Sequence, residues 1–150
     1  MKNLLFFLLF STFINAQSTM QYKEQCAKAE NSTSAAKELI KNATKDFANT
    51  QQPIYLAFSG VGNLFMAKHV FNPISKMSYF KKGKTELDKA IQLQPKNVEI
   101  RFFRLLSQSE MPKLLGYYEN IEEDKTFIKN NFQDWNDEVL KKEIKNYLKL

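Results

Sequence analysis

From Ser34 to Leu148 the apolar side chains of this chain recur every three or four positions, and the alternation of a half-buried strand is almost absent. Four glycines and four prolines punctuate 150 residues rather than pervade them, so the segments between them are long enough to be helices. Chain topology is therefore limited to helices packed on helices, an all-α bundle or a short solenoid of about six helices.

The punctuation sets the expected boundaries. The polar stretch from Met20 to Glu30 has a weak helical pattern, and Asn31 to Ser34 breaks it and supplies an N-cap. A helix to about Ala48 follows, with Ala36, Leu39, Ile40, Ala43 and Phe47 on one face. Pro53 opens the next helix at its first position; Ile54, Ala57, Phe58, Val61, Leu64 and Phe65 form its stripe, and Gly60 and Gly62 admit a close neighbour. It ends near Val70, before Asn72-Pro73. A helix from about Ser75 to Leu93 turns Phe80, Leu87, Ala90 and Ile91 inward, with Gly83 at a tight crossing and Pro95 as its stop. Asn97 caps the next, which carries Ile100, Phe103 and Leu106. A loop from Ser109 to Gly116 leads to a helix starting near Asn120, and Asn136 or Asp137 caps the last.

The N-terminus reads differently. Lys2 precedes the unbroken apolar run Leu4–Phe10, extended by Phe13 and Ile14, and Ala16-Gln17 offers a small-residue cleavage point. Charge, apolar run and cleavage site in that order predict a secretory signal peptide over residues 1–16. The run is too short for a bilayer span of about 20 apolar residues. Removing it leaves 134 residues from Gln17, one domain, and lowers the formal charge from +6 to +5, a mild excess read as spread along the chain. One cysteine, Cys26, allows no internal disulfide and lies too far from the cleavage point to carry a lipid. No other apolar stretch is long enough to span a membrane, so the mature chain is expected to be exported, periplasmic or extracellular. Asn31-Ser32-Thr33 and Asn42-Ala43-Thr44 would accept glycans only in a eukaryotic secretory pathway.

The run Gly83-x3-Leu87-x2-Ala90-x4-Pro95, then Asn97, resembles the second helix of a tetratricopeptide repeat. That resemblance implies a hairpin with the preceding helix, Ile54 to Val70, and a following unit that begins at Asn97. It covers under a third of the chain, and the Asn72-Pro73-Ile74 connection departs from the family's tight turn. The leader ending Asn15-Ala16-Gln17, with Glu99-Ile100-Arg101-Phe102 and Leu115-Gly116-Tyr117, also resembles small exported proteins of Bacteroidota.

Most catalytic arrangements have no footing in the residues. His69 is the single histidine and the thiol is single, so the usual zinc sets are not expected; a histidine at a helix C-terminus complements the dipole. Ser59-Gly60-Val61-Gly62 lacks the order of a nucleophile elbow, and no phosphate loop or dinucleotide fingerprint occurs, so no cofactor is expected. Glu122, Glu123 and Asp124 point around a helix start, where the dipole favours acids. Lys81, Lys82 and Lys84, with Lys141, Lys142 and Lys145, are too sparse to predict nucleic-acid binding and read as solvated faces.

Arg101 and Arg104 are the exception. Three apart on a helix otherwise rich in Phe and Leu, they must reach an edge or pair with carboxylates. One reading pairs them with Glu99, Glu86, Asp88 or the acidic run at 122–124; the other makes them a fork for an acidic ligand, with Asn72, Glu99, Tyr117 and Tyr118 lining the same groove. The resulting expectation is a helical module that binds a protein or peptide partner in the cell envelope and is not an enzyme. A small-ligand or lipid carrier is the alternative, given thirteen phenylalanines.

Overall fold

A computed structural model describes residues 19–150; the signal-peptide reading of residues 1–16 lies outside them. The described residues contain seven α-helices and no strand. They are α1 (19–29), α2 (Thr33–Thr50), α3 (Pro53–His69), α4 (Pro73–Leu93), α5 (Val98–Glu110), α6 (Ile121–Asn131) and α7 (Glu138–Leu148), with short 3-10 turns at Lys113–Leu115 and Phe132–Asp134. The all-α expectation holds, with seven helices in place of about six. The addition is α1, whose narrow stripe of Tyr22, Cys26 and Ala29 is enough to seat it on α2 and α3.

Short polar caps fix where the helices begin. Ser32 Oγ accepts from the Ala35 N–H, Asn97 Oδ1 from Ile100 and Asp137 Oδ1 from Leu140, each satisfying a donor that the first turn leaves free. Asn72 Oδ1 accepts from both Ile74 and Ser75 at 2.9 and 3.0 Å. That cap lets Pro73 take the first helical position, so α4 begins before the Ser75 start that the sequence predicts.

Helices α1 to α4 run up and down against one another. Tyr22 Oη donates to Asp46 while Asn42 reaches back to Gln25, which sets α1 antiparallel to α2. Gly62 meets Leu39 and Ile40 of α2, and Thr44 meets Ser59. Gly60 meets Gly83 and Leu87 of α4, and Leu64 meets Gly83. Residues two apart on a helix point nearly oppositely, so Gly60 and Gly62 open opposite flanks of α3 rather than one. That arrangement makes α3 the central helix, with fourteen of its seventeen residues buried, Ser59 and Asn63 included. Both polar side chains donate to Glu86 Oε2, at 2.9 and 2.8 Å, so their donors are satisfied on burial, while Asn63 Oδ1 is buried with no partner. At the far end His69 Nε2 lies 2.9 Å from the Ala29 carbonyl; a carbonyl can only accept, so that nitrogen carries the proton.

Helix α5 is the seam between two apolar cores. Ile100 joins the larger core, built from α1 to α4 and Tyr117. Val98, Phe102 and Leu105 join the smaller one, with Ile128, Phe132, Leu140 and Ile144. Among the described residues no helix is long and apolar enough to cross a membrane.

Candidate functional site

With apolar residues on both flanks, α5 leaves Glu99, Arg101 and Arg104 only narrow exits, and each goes to a carboxylate or an ammonium. Arg104 Nε and Nη2 grip Asp124 Oδ2 and Oδ1 at 2.7 and 2.9 Å, a two-pronged pair. Arg101 Nη1 donates to Asp124 Oδ1 at 2.7 Å and to Glu123 Oε1 at 2.8 Å. Asp124 is fully buried and both arginines are less than a tenth exposed. A carboxylate there is tolerable only because three charged donors surround it. Asp88 of α4 completes the cluster, 3.7 Å from Arg104 and accepting from Tyr117 Oη at 3.1 Å. Burial and then the Asp88 charge drive the Tyr117 phenol far above its ordinary range, so it stays protonated and can only donate to that carboxylate. Hydrogen bonds from Arg101 and Asn120 hold the Glu123 carboxyl below the usual range.

The six residues expected to line one groove are therefore divided. Arg101, Arg104 and Tyr117 converge on Asp124 and Asp88. Glu99 lies on another face of α5, where Lys23 of α1 stands 3.1 Å from its Oε1 and 2.6 Å from Asp137 Oδ2. Burial raises the Glu99 carboxyl more than Lys23 lowers it, and the balance is an elevated pKa. Burial alone would depress the Lys23 ammonium, yet Glu99 and Asp137 together raise it. Tyr118 is half exposed beside the cluster. Asn72 caps the opposite end of α4, sixteen residues before Asp88, which at ~1.5 Å per residue is about 24 Å away. Of the two readings of the arginines, the partners found are Asp88 and the acidic run at 123–124.

The same arginine shapes the surface next to it. Arg101 Nε donates to the Pro95 carbonyl at 2.7 Å, and its guanidinium lies 4.3 Å from the centre of the Phe127 ring. The turn between α4 and α5 is thereby fastened to α6. A groove of about 370 Å³ opens beside that turn, lined by Gln94, Pro95, Lys96, Asn97 and Trp135. Trp135 follows the Phe132–Asp134 turn and packs one side against the smaller core, leaving the other to the groove. Trp135 played no part in the sequence expectation, and Pro95 entered only as a helix stop and the close of the repeat-like pattern. The available signal was the chain's one tryptophan set between two helix breaks. A second open hollow, of about 250 Å³, lies between α1 and α2 and is lined by Gln21, Glu24, Gln25, Lys28, Ala35 and Glu38.

No group of histidine, cysteine and carboxylate side chains fit to hold a metal occurs among the described residues. Comparison with family models, with curated proteins and with solved structures finds no match to this chain.

Proposed function

We propose that this chain is an exported interaction module of the cell envelope, a tetratricopeptide-like stack of helices that holds an extended peptide segment of a partner protein against Trp135. The groove beside Pro95 carries this reading. Its floor is a rigid aromatic face and a proline, its rim is the exposed Lys96 and the half-buried Asn97, and its wall is held by the Arg101–Pro95 hydrogen bond. Such a combination of an apolar anchor and a polar rim suits a peptide with one bulky apolar side chain. The arginine cluster serves to position the groove, since its charges are spent on one another. Support for the repeat-like stack comes from the antiparallel α3–α4 pair closed at Gly60 and Gly83, with α5 starting at the Asn97 cap. The signal-like residues 1–16 support export.

Partner capture from the envelope fraction tests the groove. Trp135→Ala and Lys96→Glu should each release the captured partner, and the surface change Lys96→Glu should do so without lowering the melting temperature. Equal capture by all three proteins overturns the groove reading. Exported material should begin at Gln17 by intact mass, and a retained Met1 would overturn the export reading.

A further inference from the structure

We propose that the corner joining α3 to α4 is a membrane-facing surface, where Phe71, Ile74 and Met77 enter the interface of an anionic lipid bilayer beneath a collar of lysines. Phe71 is 98% exposed, Ile74 81% and Met77 41%. Phe71 immediately precedes the Asn72 cap, a position from which an apolar side chain ordinarily folds back on the fourth residue of the helix. That residue is Lys76, so α4 offers Phe71 no apolar cover of its own.

Charge identifies the occupant. Residues 19–150 hold 21 basic and 16 acidic side chains, an excess of five. That excess is not spread along the chain. From residue 47 to residue 85 there is no Asp or Glu, and the five lysines there, Lys68, Lys76, Lys81, Lys82 and Lys84, equal the whole of it. Lys76, Lys81 and Lys82 are exposed; Lys68 is too, with Glu30 at 3.8 Å, while Lys84 leans over the Tyr117 ring. Phe80, Gly83 and Leu87 turn the inner face of α4 to the core, which leaves Ile74, Ser78, Lys81, Lys82 and Thr85 outward. Lys81 and Lys82 stand about 10–12 Å along the axis from Ile74, at ~1.5 Å per residue. An interfacial apolar face sinks about 5–10 Å below the headgroups, so the lysines lie at phosphate level when Phe71 and Ile74 lie among acyl chains. Apart from Glu30 beside Lys68, the charge around this apolar tip has one sign, which complements a lipid surface rather than a protein groove. Helix α4 has 21 residues, so this corner is about 30 Å from the groove beside Pro95, and its lipid contact needs no peptide partner.

The test uses the full chain with vesicles of phosphatidylglycerol and phosphatidylcholine, against phosphatidylcholine alone. Phe71→Trp should show blue-shifted emission, quenched by brominated acyl chains on the anionic vesicles only, over the unquenched Trp135 background of the unchanged protein. Phe71→Ser with Ile74→Ser, and separately Lys81→Glu with Lys82→Glu, should each weaken vesicle binding about tenfold with an unaltered melting curve. Any affinity of residues 1–18 is common to every protein compared, and the position-71 quenching is independent of it. Absence of quenching at position 71 overturns the proposal. So does a serine pair that changes only self-association measured without lipid, which would assign the corner to a second copy, or only capture of a polypeptide.

Discussion

Gly60 and Gly83 meet backbone to backbone: a β-carbon on Gly83 would lie 2.7 Å from the Gly60 carbonyl oxygen, and one on Gly60 3.0 Å from that of Gly83. The contact sets the spacing of α3 and α4. Ala in place of a helical glycine ordinarily stabilises by about 1 kcal/mol, but here the obstacle is backbone, which cannot rotate away. Gly83→Ala should therefore lower stability, and Gly83→Leu by about 1–3 kcal/mol or more. Gly62→Ala should cost less, because its nearest neighbour, at 2.8 Å, is the Ile40 side chain. Chemical denaturation of the three variants checks the order.

Removal of the arginines' charge should show as lost stability. Arg101→Gln with Arg104→Gln leaves Asp124 buried without a cation, a state that costs about 3–5 kcal/mol. The expected result is a sharply lower melting temperature. Asp124→Asn in the same background should recover part of the loss by removing the unpaired charge. An unchanged melting temperature would remove the clamp from the account of how α5 holds α6.

The arginine pair was legible because its neighbours are local: spacing of three on an apolar helix demands acids nearby, and Asp88 and residues 123–124 were among the few within reach. Helix starts were legible where Asn97 and Asp137 mark them chemically, whereas Asn72-Pro73 was read only as the end of α3 and not as the cap that opens α4. What the pattern withheld was non-local. Neither the Glu99–Lys23 contact nor the all-round burial of α3 has a periodic signature, since both depend on which helix ends up alongside. The stripe read on α3 was one face of a helix that has no outer face, and the glycines taken as one contact serve two. The acid-free run from 47 to 85, by contrast, stood in the sequence throughout.

Glu99 should make itself felt in the pH profile. Its folded pKa is raised, chiefly by burial, so its contribution is fullest below the ordinary carboxylate range and is lost as pH rises through the elevated value. Glu99→Gln removes that dependence. The stability of the unchanged protein relative to Glu99→Gln should fall as pH rises above about 4. Asp137 works in the opposite sense: its pKa is lowered, the N–H of Leu140 and Lys23 outweighing burial. Its contribution is present above the ordinary range and fades as the solution is acidified. Melting curves across the acid range separate the two.

Cys26 should be inert. Burial pushes its thiol up to about 12, with the Glu99 charge adding to the effect, so almost no thiolate exists at neutral pH. Native protein should resist iodoacetamide, and denatured protein should react at once. Rapid native alkylation would mean that α1 lifts off its neighbours.

Helix α3 has a consequence for the order in which the molecule comes together. From Pro53 to Ala67 it carries no charged side chain, and its two flanks are closed by different partners, α2 from one side and α4 from the other. A chain emerging from its N-terminus can cover the first flank as soon as α3 is complete, but the second stays bare until residues 73–93 follow. For that interval the most apolar element of the protein presents a sticky half-cylinder to whatever is nearby, and any fragment that stops short of α4 carries the same exposed side permanently.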